Sequence, residues 1–360
     1  MHTIKAWQVS AVKEPMQETE IRVDNLAANE VLVRVAGCGV CHTDLGFFYD
    51  GVRTVRPFPL VLGHEISGFV EAAGDEYAGL VGKAVLIPAV MPCGECDLCT
   101  KGRGTICRNQ VMPGNHIHGG FASHVVVPGR YLCPVDVSDP DQPFGDSGVS
   151  LRELSVIADA VTTPYQAARN AGLAAGDVAI FIGTGGIGSF GVQVANALGA
   201  TVIALDIDER RLAKTADFGA ALTLNPKEHD NKSLRKMIRT FVNERGLSPY
   251  EWKIFETSGT AAGQDLAFSL LTFGATLCVV GFTMDSVTVR LSNLMAFDAR
   301  AVGNWGCLPD YYPEVLDLVR SGKIQLAPFV ETFPLSEINS VFARVHNHEL
   351  DRRPVLIPES

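Results

Sequence analysis

The chain has 360 residues, of which 47% are hydrophobic and 19% charged, so it is long enough for two domains and has the composition of an ordinary globular protein. A formal net charge of −10 argues against a nucleic-acid partner, because a polyanion would be repelled. Residues 1–15 lack the apolar core of a secretory signal, and no stretch reaches the roughly 18 apolar residues of a membrane helix. We therefore expect a cytoplasmic protein with no membrane partner.

The first part of the chain predicts an irregular, mostly β domain. Apolar, β-branched runs alternate there with turns rich in glycine and proline. These runs cover residues 30–35, 66–71, 83–88 and 122–128.

Two short segments of this domain carry side chains that bind transition metals. Residues 41–44 read Cys-His-Thr-Asp after a glycine-containing strand, and residues 63–65 read Gly-His-Glu. A single buried cysteine or histidine is more often a core residue than a ligand. Together with the nucleotide fold and the second metal site described below, the two segments favour an open catalytic zinc site.

Four cysteines lie close together in a loop that contains glycine and proline. They are Cys93, Cys96, Cys99 and Cys107. Four thiolates at this spacing surround one tetrahedral zinc and leave no position for a substrate, which indicates a structural site. An iron–sulfur cluster and four unmetallated thiols are the alternatives, and a disulfide framework is not expected in a chain without an export signal.

The middle of the chain alternates apolar strands with helices, which predicts a doubly wound parallel sheet. The strands are residues 178–182, 201–205, 220–224, 253–256 and 276–281, and the helices are residues 188–198 and 261–271. A further helix over residues 312–321 precedes short extended pieces of first-domain character. We place a catalytic domain at residues 1–158, a nucleotide-binding domain at 159–303 and a return to the first domain at 304–360.

A glycine-rich turn joins the first strand of this sheet to its helix, as in dinucleotide-binding folds. Its residues are Gly183, Gly185, Gly186, Ile187 and Gly188. Asp206 ends the next strand, where a carboxylate binds ribose hydroxyls and repels a 2′-phosphate, so the pattern favours NAD over NADP. Arg210 and Arg211 follow and could soften this preference. The alternative is a glycine-rich loop that binds no nucleotide.

The motifs at 41–44, 63–65, 93–107 and 183–188 together resemble the zinc-containing medium-chain alcohol dehydrogenases, and the resemblance covers essentially the whole chain. It implies a GroES-like catalytic domain, a Rossmann domain that binds NAD, and two zinc ions per subunit. It also implies that Cys41 and His64 ligate the catalytic zinc. The third ligand then falls on Asp159, where many relatives have cysteine.

The resemblance implies roles for neighbouring residues as well. Glu65 is expected to be a neighbour or transient ligand of the zinc, and Asp44 to orient His64. Thr43 is expected to receive the substrate proton, while His42 and Arg211 approach the cofactor. Gly46 stands where some relatives have a histidine that ends the proton relay. The implied reaction moves hydride from a secondary alcohol to nicotinamide, with zinc lowering the pKa of the alcohol. Relatives form dimers or tetramers, for which we expect the strand at 276–281 to contribute a sheet edge.

Residues 96–130 and 329–358 resemble, more narrowly, dehydrogenases whose alicyclic alcohol substrate is carried as a CoA thioester. Phosphates on such a substrate require local basic groups, for which the candidates are Arg53, Arg56, Lys101, Arg103 and Arg108. His116 and His118 are interpreted as loop residues rather than ligands of a third metal. One alternative is an alcohol without CoA, and a second is a non-enzymatic nucleotide-binding protein on the same fold.

Overall fold

The computed structural model describes residues 2–359. The strands in chain order are β1 (His2–Val9), β2 (Gln17–Val23), β3 (Glu30–Gly39), β4 (Leu60–Val61), β5 (Glu65–Ala73), β6 (Ala84–Ile87), β7 (His124–Pro128), β8 (Cys133–Val135), β9 (Val178–Ile182), β10 (Thr201–Leu205), β11 (Ala220–Leu224), β12 (Lys253–Glu256), β13 (Thr276–Val279), β14 (Arg300–Gly303), β15 (Val330–Pro334) and β16 (Arg353–Ile357).

The α-helices in the same order are α1 (His42–Tyr49), α2 (Asp97–Thr100), α3 (Leu151–Leu154), α4 (Thr162–Asn170), α5 (Gly188–Ala197), α6 (Glu209–Asp217), α7 (Asn231–Glu244), α8 (Ala261–Ser269), α9 (Ser292–Phe297), α10 (Tyr312–Arg320) and α11 (Ile338–His346). Between residues 2 and 359, no helix has the length and apolar character needed to cross a membrane.

The first compact unit comprises residues 2–162 and 306–359 and is mostly β. One sheet has the order β2-β1-β4, and a larger sheet has the order β15-β16-β3-β5-β6-β8, with β7 also paired to β3. Strand β3 lies at the centre and is almost wholly buried, which explains its nearly unbroken apolar sequence. The predicted GroES-like architecture is confirmed. The end of β3 lies beside the start of β5, where Gly39 pairs with Glu65, and this brings residues 39–41 and 63–65 together.

The second unit, residues 163–305, contains a six-stranded parallel sheet of order β11-β10-β9-β12-β13-β14. Strands β10 and β11 lie on one side of β9, and strands β12, β13 and β14 lie on its other side. The strand order therefore reverses between β9 and β12. Ligands of such sheets bind at the carboxyl ends of the strands beside this reversal. The predicted Rossmann-type sheet is confirmed.

One expectation about this sheet is wrong. Strand β13, within the predicted run 276–281, pairs with β12 on one side and with β14 on the other. It therefore has no free edge, and β14 forms the edge of the sheet instead. Strand β14 was not predicted from the sequence because the segment 300–303 is short, mostly exposed and only weakly apolar.

Candidate active site and metal centres

The four cysteines of residues 93–107 converge on one point. Their sulfurs are 3.5 Å apart for Cys96 and Cys99, 3.7 Å for Cys96 and Cys107, 3.5 Å for Cys107 and Cys93, and 4.0 Å for Cys93 and Cys99. A tetrahedral zinc with bonds of ~2.3 Å separates its sulfurs by about 3.8 Å. The sulfur cage thus has the dimensions of a zinc site.

Backbone groups of this loop stabilise negative charge on the sulfurs. Backbone N–H groups of Glu95 and Cys96 lower the pKa of Cys93 to about 6. The N–H groups of Cys93 and Asn109 lie 3.4 and 3.3 Å from the Cys107 sulfur. Burial raises the pKa of Cys99 to about 12 and also raises that of Cys107, so the environment favours a thiolate at Cys93 while the sulfur separations carry the fit to zinc.

A second group of metal-binding side chains lies at the ends of β3 and β5. The ligand atoms of Cys41, His64, Glu65 and Asp159 all lie within 4.8 Å of one another. Asp159 Oδ2 is 3.5 Å from Cys41 Sγ and 3.6 Å from His64 Nε2. These separations are too long for strong hydrogen bonds but match the ~3.4–3.6 Å expected between ligands of one tetrahedral zinc.

Asp44 joins the two segments that carry Cys41 and His64. Its carboxylate is fully buried and accepts hydrogen bonds from the backbone N–H of Cys41 at 3.0 Å and of Gly63 at 3.1 Å. The same carboxylate lies 3.3 Å from His64 Nδ1. Asp44 therefore positions the backbone of one candidate ligand and the imidazole ring of the other, which leaves Nε2 facing Asp159.

Asp159 follows a 3₁₀ turn at Ser155–Ala158 in the same compact unit. The Tyr312 hydroxyl donates a hydrogen bond to the carbonyl of Ala158 and accepts one from the backbone N–H of Ala89 at 3.1 Å. Tyr312 is fully buried on α10, so it holds the turn just before Asp159 from a distant part of the chain. The sequence carried no signal for this contact.

The surroundings of His64 favour a cation. Burial alone would lower the pKa of His64, but Asp44 and Asp159 raise it well above its usual value. A divalent metal at Nε2 would satisfy the same negative groups while leaving the imidazole neutral. Because Cys41 and Asp159 each supply one negative charge when ionised, the donor set fits a zinc ion.

Glu65 is held by a residue that sequence reasoning missed. Arg353 on β16 forms a two-pronged ion pair with Glu65, in which Nε donates to Oε2 at 2.8 Å and Nη2 donates to Oε1. Glu65 is fully buried and Arg353 is 8% exposed. Burial raises the pKa of Glu65, and the guanidinium opposes that rise. An arginine at the start of the apolar strand β16 was the available signal, since charged residues are seldom buried without a partner.

Thr43 and His42 lie on the first turn of α1. The Thr43 hydroxyl is 3.7 Å from Cys41 Sγ and partly exposed, and the His42 side chain is exposed. Gly46 lies on the buried face of the same helix, and its carbonyl accepts hydrogen bonds from the N–H groups of Asp50 and Val52. The first turn of α1 thus carries the partly exposed Thr43 and the exposed His42, whereas position 46 is buried.

The glycine-rich turn lies at the carboxyl end of β9, beside the reversal of strand order. Gly183 has a φ of +90°, and a Cβ there would be 2.6 Å from Ser258. A Cβ on Gly188 would meet the Gly183 carbonyl, so the third glycine allows α5 to begin against the strand. Gly185 has only an Arg211 guanidinium atom, at 3.8 Å, near its Cβ position, and Gly186 and Ile187 are at least partly exposed. The backbone is thus open to a pyrophosphate at this point.

Asp206 follows β10 but is turned towards the glycine-rich segment. Its Oδ2 accepts hydrogen bonds from the Thr184 backbone N–H at 2.6 Å and the Thr184 hydroxyl at 3.0 Å. Its Oδ1 accepts one from the Asp208 N–H at 2.9 Å, and the residue is 6% exposed. Asp206 therefore links the glycine-rich turn to the end of β10 and places its carboxyl group beside that turn.

Comparison with known proteins places the chain among dehydrogenases. Residues 27–137 match the alcohol dehydrogenase GroES-like domain and residues 186–321 match the zinc-binding dehydrogenase family. An alcohol dehydrogenase of Geobacillus stearothermophilus is 30% identical over 355 residues, covering 98% of this chain and 99% of that protein. The D-arabinose 1-dehydrogenase (NADP(+)) of Saccharolobus solfataricus is 28% identical, covering 98% and 97%. The structure of galactitol-1-phosphate dehydrogenase from Escherichia coli has a TM-score of 0.86 at 24% identity, covering 98% and 100%.

Replacing Asp159 tests its assignment as a metal ligand. We expect Asp159→Ala to lower the zinc content from two atoms to one per chain and to reduce alcohol oxidation on the order of a thousandfold, because polarisation of the substrate oxygen is lost. Asp159→Cys should keep both zinc ions. Elemental analysis by mass spectrometry measures the metal, with the exposed Asp136→Ala as control. Retention of two zinc atoms by Asp159→Ala would exclude Asp159 as a ligand.

Removing one partner of the buried ion pair should be more harmful than removing both. We expect Arg353→Met to lower the free energy of unfolding by about 3–5 kcal/mol, because it leaves the Glu65 carboxylate buried and unpaired. Glu65→Gln/Arg353→Met should recover much of this loss. Urea denaturation measures each value, and the exposed neighbour Arg352→Ala should change it by less than about 0.5 kcal/mol. Additive effects of the two single substitutions would contradict the proposed coupling.

Proposed function

The chain belongs to the zinc-dependent medium-chain alcohol dehydrogenases, and we propose that it oxidises an alicyclic secondary alcohol carried as a CoA thioester, with NAD as hydride acceptor. The convergence of Cys41, His64 and Asp159 at zinc-ligand separations is the observation that carries the dehydrogenase reaction. One alcohol and one NAD⁺ give one ketone, one NADH and one proton.

The substrate we propose is 6-hydroxycyclohex-1-ene-1-carbonyl-CoA, oxidised to the 6-oxo thioester. Residues 96–130 and 329–358 support it by their resemblance to the dehydrogenase that acts on this compound during anaerobic degradation of aromatic acids. The allylic ring alcohol suits hydride transfer, because its oxidation gives a ketone that is conjugated with the ring double bond. The relatives found by comparison are named for alcohols and sugars, so an alcohol without CoA is the competing substrate class.

The candidate metal ligands and the two polar residues at the start of α1 have separate roles in this reaction. Cys41, His64 and Asp159 would hold the catalytic zinc, and the four cysteines of residues 93–107 would hold a structural zinc. Bound zinc supplies a Lewis acid that lowers the pKa of the substrate alcohol. Thr43 accepts the hydroxyl proton, and the exposed His42 beside it carries that proton towards solvent or towards the cofactor.

The nucleotide site favours NAD over NADP in this proposal. Asp206 places a nearly buried carboxylate against the glycine-rich turn, and a 2′-phosphate there would meet its negative charge. Arg210 is paired with Asp208 at 3.2 Å, which reduces its availability to a phosphate. Arg211 lies near Gly185 and fits a pyrophosphate contact.

We also propose that two or more copies of the chain associate through the edge of the parallel sheet. Strand β14 is this edge, and its neighbourhood exposes large apolar side chains. These are Phe282 (70% exposed), Met284 (74%), Leu291 (69%), Met295 (78%) and Trp305 (48%). An exposed edge strand with apolar neighbours is a suitable interface, and a second copy would cover both features.

A substrate panel tests the proposed function. We expect 6-hydroxycyclohex-1-ene-1-carbonyl-CoA to be oxidised by NAD with a kcat/KM at least about a hundredfold above those of the free acid and simple alcohols, since binding of the CoA portion stabilises the transition state. NADH formation is followed by absorbance with zinc-loaded protein, and NADP serves as the parallel cofactor. Equal or faster oxidation of plain alcohols would overturn the CoA assignment and leave the dehydrogenase intact.

Charge on the apolar surface near β14 tests the proposed association. We expect Leu291→Glu/Met295→Glu to shift the protein to monomers, because two carboxylates would be brought against their symmetry mates. Sedimentation velocity measures the oligomeric state, and Met237→Glu, at a 37% exposed apolar position of the same unit, is the control. A dimer or tetramer that survives the double substitution would place the interface elsewhere.

A further inference from the structure

The loop between α1 and β4, residues 51–59, carries two exposed arginines. Arg53 and Arg56 are both exposed, and within residues 2–359 neither is paired with a carboxylate in an ion pair. The chain as a whole has a formal net charge of −10. Two exposed arginines three positions apart and without acidic partners are therefore available to an anion.

One buried residue, Asn115, holds the middle of this loop through its side chain and its backbone. Asn115, which is 8% exposed, accepts the Val55 N–H on its side-chain oxygen at 2.8 Å and the Arg56 N–H on its carbonyl at 2.8 Å. The Thr54 hydroxyl donates to the Arg56 carbonyl at 2.6 Å. The backbone of Arg56 is thus held before a ligand arrives, which lowers the entropy lost on binding.

The same support connects the loop to the candidate metal site. Gly114 precedes Asn115 with a φ of +74°, and a Cβ there would lie 2.8 Å from the Gly63 nitrogen. Gly120 donates its N–H to the Gly63 carbonyl at 2.9 Å. Gly63 directly precedes His64, so the arginine loop and the zinc ligand are braced by one continuous piece of backbone.

Two histidines beneath the loop are neutral parts of this support. His118 Nδ1 accepts the Val61 N–H at 3.2 Å, and His116 Nδ1 accepts the Met112 N–H at 3.3 Å. Burial, with a contribution from Arg56, lowers the pKa of His118 to about 4. The positive charge of Arg56 therefore acts on His118, and the neutral imidazole does not compensate that charge.

We infer that Arg53 and Arg56 bind the phosphate groups of the CoA moiety while the thioester-bearing ring lies at the candidate zinc site. This inference rests on the proposed CoA substrate and names the residues that recognise its tail. Arginine forks match phosphate oxygens in pairs. The eight residues from Arg56 to His64 cannot span more than ~28 Å, which sets an upper limit on the separation that the pantetheine arm between the thioester and its phosphates would bridge.

Paired substrates separate this inference from the proposed function. The assay measures kcat and KM for 6-hydroxycyclohex-1-ene-1-carbonyl-CoA and for the same acyl group on N-acetylcysteamine, which has no phosphate. We expect Arg53→Ala/Arg56→Ala to raise KM for the CoA ester on the order of a hundredfold, about tenfold for each arginine, and to leave the truncated ester unchanged. Arg56→Lys should show an intermediate loss, because it keeps charge without the fork.

Arg22→Ala, which removes an exposed arginine from β2, is the matched control and should affect neither ester. Equal behaviour of the double variant and wild type towards the CoA ester would overturn the inference, as would a loss found instead with Arg103→Ala on the cysteine loop. If wild type oxidises no CoA ester, the proposed function fails, and calorimetric titration with CoA itself decides the site. CoA binding that the double variant loses would preserve the inference, and absence of binding to wild type would end it.

Discussion

The buried carboxylate of Asp44 is the interaction on which the candidate active site depends. It accepts backbone hydrogen bonds from Cys41 and Gly63 and faces the His64 ring. The segment between β3 and α1 is thereby held at a fixed distance from the segment between β4 and β5. A buried carboxylate without these donors would be strongly destabilising, so Asp44 and the two turns are stable only together.

The balance of formal charges limits which residues can surround the Asp44 interaction. A divalent zinc at this site would be balanced by the Cys41 thiolate and the Asp159 carboxylate. Glu65 would add a further negative charge beside this set, but Arg353 neutralises it. The exchange of the usual cysteine for Asp159 fits this balance, because thiolate and carboxylate carry the same charge and both ligate zinc.

Sequence alone predicted the features whose signals are local. Strands β9 and β10 coincide with apolar runs because a parallel sheet is covered on both faces, and the close spacing of the four cysteines predicts that their sulfurs converge. Arg353 and Tyr312 escaped prediction, because they act on Glu65 and Ala158 across 288 and 154 positions of the chain. Asp159 was reached only through family resemblance, since nothing in its own neighbourhood distinguishes it from a surface acid.

Gly46 shows how a missing side chain directs the proposed proton path. Its carbonyl already accepts two backbone hydrogen bonds, and the neighbouring Phe47 and Phe48 are buried and apolar. Positions 46–48 of α1 therefore provide no side chain that could accept a proton. The first turn of the helix differs, because the partly exposed Thr43 lies next to the exposed His42. Under the proposed mechanism the proton leaves at the start of α1, on the side where His42 meets solvent, rather than along the helix.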